Sequence, residues 1–238
     1  MEQATGSPII FYDIPSKAPG CAWSPNTWKT RHVCLTYKTV WVEYPDIADL
    51  CKRIGAGPST IRDDGSPYYS LPVIQDPNTG AVVSDSTRIA EYLDATYPET
   101  LSLMPAGTRT LQKGFQFTCH RATDVSTQFI IPAILSILHP RSQDYYVRTR
   151  EATFAAWKDL EAGFGRIHTW MTEGDPFVMG DFPSFADFLI AGKLQWYKKG
   201  FGEESDKWKD ITTWHDGRWA KLLKNLEKYE GSFEERSE

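Results

Sequence analysis

The sequence predicts an α/β unit followed by an all-helical unit, on three observations. Up to Tyr97, short apolar runs alternate with helix-start signals in the order strand, helix, strand, helix, strand, strand, helix. From Leu111 onward, apolar residues recur at steps of three and four, the period of an amphipathic helix. Between the two lies LSLMPAG, a linker-like stretch, so the boundaries are 1–97, 98–107 and 108–238.

Taken in order, residues 1–7 read as a loose tail, and Pro8 to Ile14 as the first strand. Pro15 to Gly20 is a loop rich in Pro, Gly and Lys. Ser24-Pro25 then starts a helix, with Ser as N-cap and Pro at the first helical position, running through Trp28, Arg31 and Leu35. Tyr37 to Tyr44 alternates and reads as a strand. Five residues from His32 to Thr36 join Arg31 to Tyr37, so either the helix is short or the strand starts late. Asp46 to Ile54 is a short helix, and Gly55 to Pro67 a long loop without the GxxxxGK[ST] spacing of a phosphate cradle.

The chain is organised around Tyr68 to Leu93. Leu71, Val73 and Ile74 make one apolar run and Ala81 to Val83 another, joined by the turn cluster Asp76-Pro77-Asn78-Thr79-Gly80, which predicts a hairpin. Ser84-Asp85-Ser86 supplies capping side chains for the helix of Ile89, Ala90 and Leu93. The order of elements matches a thioredoxin-like unit and is shared by several α/β folds.

In the helical part, Leu111, Phe115, Thr118, Ala122, Val125 and Phe129 form one stripe. Phe154, Trp157, Leu160, Phe164, Ile167 and Met171 form a second, and such stripes are core far more often than ligand site. Ser184-x-x-Asp187 is a capping box ahead of Phe188, Leu189 and Trp196. Trp219, Leu222, Leu223, Leu226 and Tyr229 make a last amphipathic helix before a polar tail from Gly231.

Composition narrows the function. The chain has 238 residues and a formal charge of −5, with Lys and Arg scattered, which argues against nucleic acid and anionic membranes as partners. No apolar run approaches the ~20 residues of a membrane span, and the N-terminus lacks a secretory signal pattern. Cys21, Cys34, Cys51 and Cys119 show neither CxxC nor metal-ligand spacing, and the five histidines contain no HExxH, so no metal is expected. A cytoplasmic protein with mostly unpaired thiols is the expectation.

Two positions near the hairpin carry chemistry. Pro72 at a strand start suits an edge or a cis bond, although only about 5–6% of X–Pro bonds are cis. Ser86, with the free amides of a helix start, suits a carboxylate, and the neighbouring Asp85 suits an amine. Together they describe an amino-acid head group, and equally a plain helix cap. Ser24 can likewise be a cap or a hydrogen-bond donor to a ligand, and Asn26 can assist it or cap.

A Leu-Pro before a hairpin followed by Asp-Ser at a helix start resembles the glutathione site of soluble glutathione transferases, and the Ser184-x-x-Asp187 box is a second match. Over longer runs, FYDIPSK, AWSPNTWKTR, YKTVWVEYPDI and LPVIQDPNTGAVVSDS resemble the fungal-specific class FuA of wood-decay basidiomycetes, which is similar to bacterial lignin β-etherases. The resemblance covers most of the chain and implies a thioredoxin-like, glutathione-binding N-terminal domain, an all-α C-terminal domain and a homodimer. It implies a cis bond at Leu71-Pro72, with Leu71 pairing through its backbone to the cysteinyl part of glutathione and Asp85-Ser86 holding the γ-glutamyl end. Ser24 then takes the catalytic position, donating to the glutathione thiolate; Asn26, the next polar side chain at this helix start, is the second catalytic candidate, open between assisting the thiolate and capping the helix.

Members of the class bind plant polyphenols and conjugate glutathione to electrophiles. The expected second ligand is therefore a hydrophobic aromatic or phenolic molecule, between the Pro15–Cys21 loop and a wall drawn from Phe117, Arg121, Val125 and Phe129. Two rival functions stay open: a ligandin with little turnover, and glutathione-dependent ether cleavage or disulfide reduction. Cys21, three residues before Ser24, is the thiol that reduction would need, in a loop ahead of the helix start. Trp23 and Trp28 read as packing or as pocket walls.

Overall fold

The computed structural model describes residues 7–32, 36–149 and 157–230. Strands β1 (Ile9–Asp13), β2 (Tyr37–Trp41), β5 (Val73–Gln75) and β6 (Val82–Ser84) form one sheet in the order β2-β1-β5-β6. β1 pairs parallel to β2 and antiparallel to β5, and β5 pairs antiparallel to β6. The predicted hairpin is thus present, two residues shorter at its start because Leu71 and Pro72 precede the ladder. The predicted long loop between 55 and 67 instead contains a small hairpin, β3 (Thr60–Ile61) paired with β4 (Pro67–Tyr68). Its strands are two residues each, too short to show a period in sequence.

Helices α1 (Pro25–Arg31), α2 (Ile47–Ile54) and α3 (Ser86–Thr96) accompany the sheet. α1 is the short alternative of the two that the Arg31–Tyr37 connection allowed: it spans seven residues, and β2 starts at Tyr37 as read from the alternation. Leu35, to which the predicted helix extended, lies outside the described residues, as do Cys34, Phe154 and the polar tail. α2 ends at Gly55, whose φ of 78° is left-handed, the conformation a glycine cap supplies without strain.

The remaining helices are α4 (Arg109–Thr123), α5 (Thr127–Ile137), α6 (Pro140–Thr149), α7 (Trp157–Trp170), α8 (Phe185–Phe201) and α9 (Asp206–Leu226). α8 is the hub: every residue from Phe185 to Tyr197 is buried. Its start is fixed as the capping box predicts, with the Ser184 amide donating to Asp187 Oδ2 at 2.8 Å, and Asp187 Oδ1 accepting from the Val178 amide at 2.7 Å. The second sequence stripe is core, since Leu160, Phe164, Ile167 and Met171 are buried.

Of the first stripe only Ala122 is buried: Leu111 is 71% exposed, and α4 also buries Gln112, Cys119 and Thr123, which lie off the stripe. A 3₁₀ turn at Asp124–Ser126 separates α4 from α5, so one continuous period across 111–129 does not describe the chain. In α9 the helix is interrupted at Trp214–Gly217, and Trp219, Leu222 and Leu226 are buried beyond the break.

α1 reaches the helical part through one close approach. A Cβ on Gly192 of α8 would stand 2.5 Å from the Pro25 carbonyl oxygen. Only a glycine lets the first turn of α1, and Ser24 ahead of it, settle this near to α8.

Candidate active site

The loop after β1 delivers Ser24 to the start of α1. The Ser24 backbone is extended (φ −67°, ψ 128°), and its carbonyl accepts from Trp28 N at 3.1 Å and Thr27 Oγ1 at 3.0 Å. Its hydroxyl makes no capping bond and has no hydrogen-bond partner among the described residues. Ser24 is buried, yet it lines a cavity of about 60 Å³ with Asn26, Tyr44, Tyr69, Leu71 and Tyr145.

Leu71 lines the same cavity. The Leu71–Pro72 peptide is cis, against the ordinary trans bond that frequency alone favours. Leu71 is 3% exposed, and neither its amide nor its carbonyl finds a partner among the described residues. Buried backbone groups are nearly always paired, so an open donor and acceptor here stand out.

Asp85 and Ser86 adjoin the same corner. The Asp85 amide donates to the Pro72 carbonyl at 3.3 Å, which ties the start of α3 to the cis-proline turn. Asp85, rather than a serine, is the cap: its Oδ1 accepts from the Thr87 and Arg88 amides at 2.9 and 3.2 Å. Its φ of 79° is strained for a residue with a Cβ, and such strain persists where surroundings hold it. The second carboxylate oxygen and the Ser86 hydroxyl have no partners among the described residues. Capping and head-group binding are therefore compatible in one side chain.

Other sequence candidates are placed elsewhere. Asn26 is exposed and accepts from Lys29 Nζ at 2.8 Å, and it lines both the Ser24 cavity and a larger one behind it. Of the four residues expected as a second wall, Phe117 lines that larger cavity. Phe129 instead packs edge-on against Trp157 at 5.4 Å, and Arg121 and Val125 line neither cavity. Cys21 sits in the loop at φ 55°, half-buried, and does not line the Ser24 cavity. Trp23 and Trp28 are buried packing residues.

Sequence reasoning missed the tyrosines. Tyr44 and Tyr145 stack with ring centroids 5.5 Å apart, although a hundred residues separate them. α6 is held over the Tyr44–Asp46 turn by Arg141, which forks onto Asp46 at 2.8 and 2.9 Å, and by Ser142, bonded to Glu43 and to the Tyr44 amide. Nothing local marks such a pair; it exists only once α6 folds back. Among the described residues no group of three or more potential metal ligands clusters, and no helix is long and apolar enough to cross a membrane.

Comparison with known proteins fits this geometry. Residues 23–96 match the family model for the N-terminal domain of glutathione S-transferase, and residues 110–229 match that for its C-terminal domain. Among solved structures, a glutathione S-transferase of Ceriporiopsis subvermispora, CsGST63524, determined in complex with glutathione, is 45% identical with a TM-score of 0.89, covering 94% of this chain and 98% of that one. The glutathione transferase GSTFuA3 of Phanerochaete chrysosporium is 42% identical with a TM-score of 0.89, covering 95% and 98%. The glutathione S-transferase-like protein ustS of Aspergillus flavus is 28% identical over 260 aligned residues, covering 93% of this chain and 91% of ustS.

Proposed function

The chain belongs to the glutathione S-transferase family, with a thioredoxin-like N-terminal domain and a helical C-terminal domain, and we propose that it binds glutathione at Leu71, Pro72, Asp85 and Ser86 and activates the bound thiol through Ser24. The observation that carries this reading is the shared cavity of Ser24 and Leu71: it is lined by a serine whose hydroxyl caps nothing and by a residue whose backbone donor and acceptor find no partner among the described residues. An extended cysteinyl residue offers the complementary amide and carbonyl. The cavity of about 60 Å³ holds a thiol group rather than a tripeptide, so the γ-glutamyl end lies outside it, along Pro72 toward Asp85. There the open carboxylate oxygen meets the ammonium group, and the Ser86 hydroxyl the carboxylate.

The energetics close. A free thiol has a pKa of about 8.5, and lowering it by ~2 units needs about 2.7 kcal/mol of preference for the anion. A hydrogen bond to a charged group is worth roughly 1.5–3 kcal/mol. Ser24 therefore accounts for most of the activation by donating its hydroxyl proton in a hydrogen bond to the sulfur. Asn26, exposed beside it, positions Lys29 or assists the thiolate.

The reaction is attack of the thiolate on an aromatic or phenolic electrophile, in the cytoplasm and in a homodimer. Rates of glutathione conjugation to chlorodinitrobenzene for the intact protein and Ser24→Ala test it. A loss of about tenfold or more in Ser24→Ala is expected. Binding of polyphenols with no Ser24-dependent rate would make the protein a ligandin instead. Loss of activity in Cys21→Ala rather than Ser24→Ala would assign reduction.

A further inference from the structure

The break in α9 is built around one histidine. Trp214 leaves helical geometry at ψ 139°, and His215, Asp216 and Gly217 follow with φ of 54°, 58° and 70°. Left-handed backbone is costly for His215 and Asp216, which carry a Cβ. Two bonds hold it. Lys221 Nζ donates to the Asp216 carbonyl at 2.9 Å, and the Trp219 indole N–H donates to His215 Nδ1 at 2.9 Å. α7 leaves room for the imidazole at Gly165, where a Cβ would stand 3.1 Å from His215 Nε2.

The bond from Trp219 sets the charge of the ring. An imidazole that accepts at Nδ1 is neutral, because the protonated ring donates from both nitrogens. A proton on Nδ1 sets two donors against each other and leaves the N–H of Trp219, a side chain with no exposure, without an acceptor. The neighbours also weigh on the cation. His168 of α7 stacks on His215, with centroids 5.1 Å apart and planes at 26°. Arg218 opposes a charge on His215, while Glu161 of α7 and Asp216 favour it. Arg218 also donates to the Thr172 and Asp175 carbonyls at 3.2 and 3.4 Å, and Glu173, Asp175 and Lys221 line the same cavity as the two histidines. Burial, followed by the charge of His168, outweighs the acids and pulls His215 below its ordinary 6.5.

Beyond the break the chain covers the helical core. Trp219, Leu222 and Leu226 are buried, and Trp219 packs against Phe164 of α7 at 5.0 Å. Tyr229 meets Phe188 of α8 edge-on at 6.2 Å.

We propose that His215 is an acid-sensitive latch: as a neutral acceptor it holds the break in α9 closed, and its protonation releases the segment from Arg218 to Tyr229 from α7 and α8. The released histidine takes its proton at the ordinary 6.5, and the closed one only at lower pH. Release therefore becomes about tenfold easier for each pH unit below 6.5, until the closed value is reached. The latch stands apart from the glutathione reading, since none of its residues lines the Ser24 cavity.

Hydrogen–deuterium exchange between about pH 7.5 and 5.5, corrected for the chemical exchange rate, tests it on the intact protein and on His215→Asn. Asparagine tolerates the left-handed backbone, and its side-chain oxygen offers Trp219 an acceptor that takes no proton. In the intact protein, residues 218–229 are expected to lose protection by about tenfold per pH unit below 6.5, ahead of β1. In His215→Asn that extra loss disappears. A loss shared equally by β1 would assign the effect to global unfolding and overturn the latch. So would unchanged protection of 218–229 in the intact protein, which needs no variant to fold, or an undiminished acid response in His215→Asn.

Discussion

Arg31 Nε lies 2.7 Å from Asp13 Oδ2, and both side chains are completely buried. The pair joins the last residue of α1 to the last residue of β1, and the Arg31 guanidinium also stacks over Phe11 and Trp41 at 4.9 and 5.1 Å. A seven-residue helix has little stability of its own. This ion pair and the approach to Gly192 hold both ends of α1, and so fix Ser24. Arg31→Met leaves a carboxylate buried without its partner, which typically costs 3–5 kcal/mol. Urea denaturation of the variant against the intact protein measures it, and a change under about 1 kcal/mol would show that α1 is held some other way.

The other end of α1 yields a second expectation. Gly192→Ala puts a methyl group into the Pro25 carbonyl, and the clash can be relieved only by moving α1 or α8. Overpacking of this kind costs roughly 1–3 kcal/mol. Because the displaced turn carries Ser24, the conjugation rate falls by more than stability alone explains. Rates measured well below the melting temperature, beside a stability measurement, separate the two effects.

His32 makes stability pH-dependent. It is fully buried between Trp28 and Phe188, and neither ring nitrogen has a hydrogen bond among the described residues. Burial, with Arg31 adding repulsion, lowers its pKa to about 3 from an ordinary 6.5. Between those values the unfolded chain binds a proton that the folded chain refuses, so stability falls as pH falls below 6.5. Each unit costs about 1.4 kcal/mol, or about 2 kcal/mol from 6.5 to 5. His32→Leu should flatten that part of the profile relative to the intact protein; an unchanged slope would place a proton on the folded imidazole.

Asp85 has two roles that substitutions can separate. Asp85→Asn keeps an oxygen for the Thr87 and Arg88 amides and tolerates the positive φ, so the helix cap survives. Asp85→Ala loses the cap as well, at about 1 kcal/mol. Both lose the charge that meets the glutathione ammonium group. Calorimetry should show both variants weakened for glutathione by about tenfold or more, with the thermal transition lowered mainly in the alanine variant. Full affinity in Asp85→Asn would remove the charge from the account.

Much of the fold was legible in sequence because its signals are local. Ser24-Pro25, the hairpin turn at Asp76–Gly80, Asp85-Ser86 and the Ser184–Asp187 box each announce an element end within a few residues. The cis bond at Pro72 came from resemblance, since spacing alone favours trans. What was misread depends on contacts between distant segments. The stripe from Leu111 to Phe129 has a helical period, yet the 3₁₀ turn at Asp124–Ser126 breaks it, and Leu111, at the start of α4, stays exposed. Phe129 was drawn to packing by Trp157, and Tyr145 reached the Ser24 cavity only through the fold-back of α6. Lys29 and Lys193 share a cavity across 164 positions of chain, a pairing that helix periodicity does not encode.

The central claim is that Ser24 stabilises the thiolate of bound glutathione, and the pKa of that thiol tests it most directly. Ultraviolet thiolate absorbance of the glutathione complex, titrated with pH for the intact protein and Ser24→Ala, reads it without any second substrate. The account predicts a pKa lowered by about 1–2 units from the free thiol's ~8.5 in the intact protein, and a return most of the way to 8.5 in the variant. A thiol at ~8.5 in the intact complex, or one equally lowered in Ser24→Ala, would contradict it.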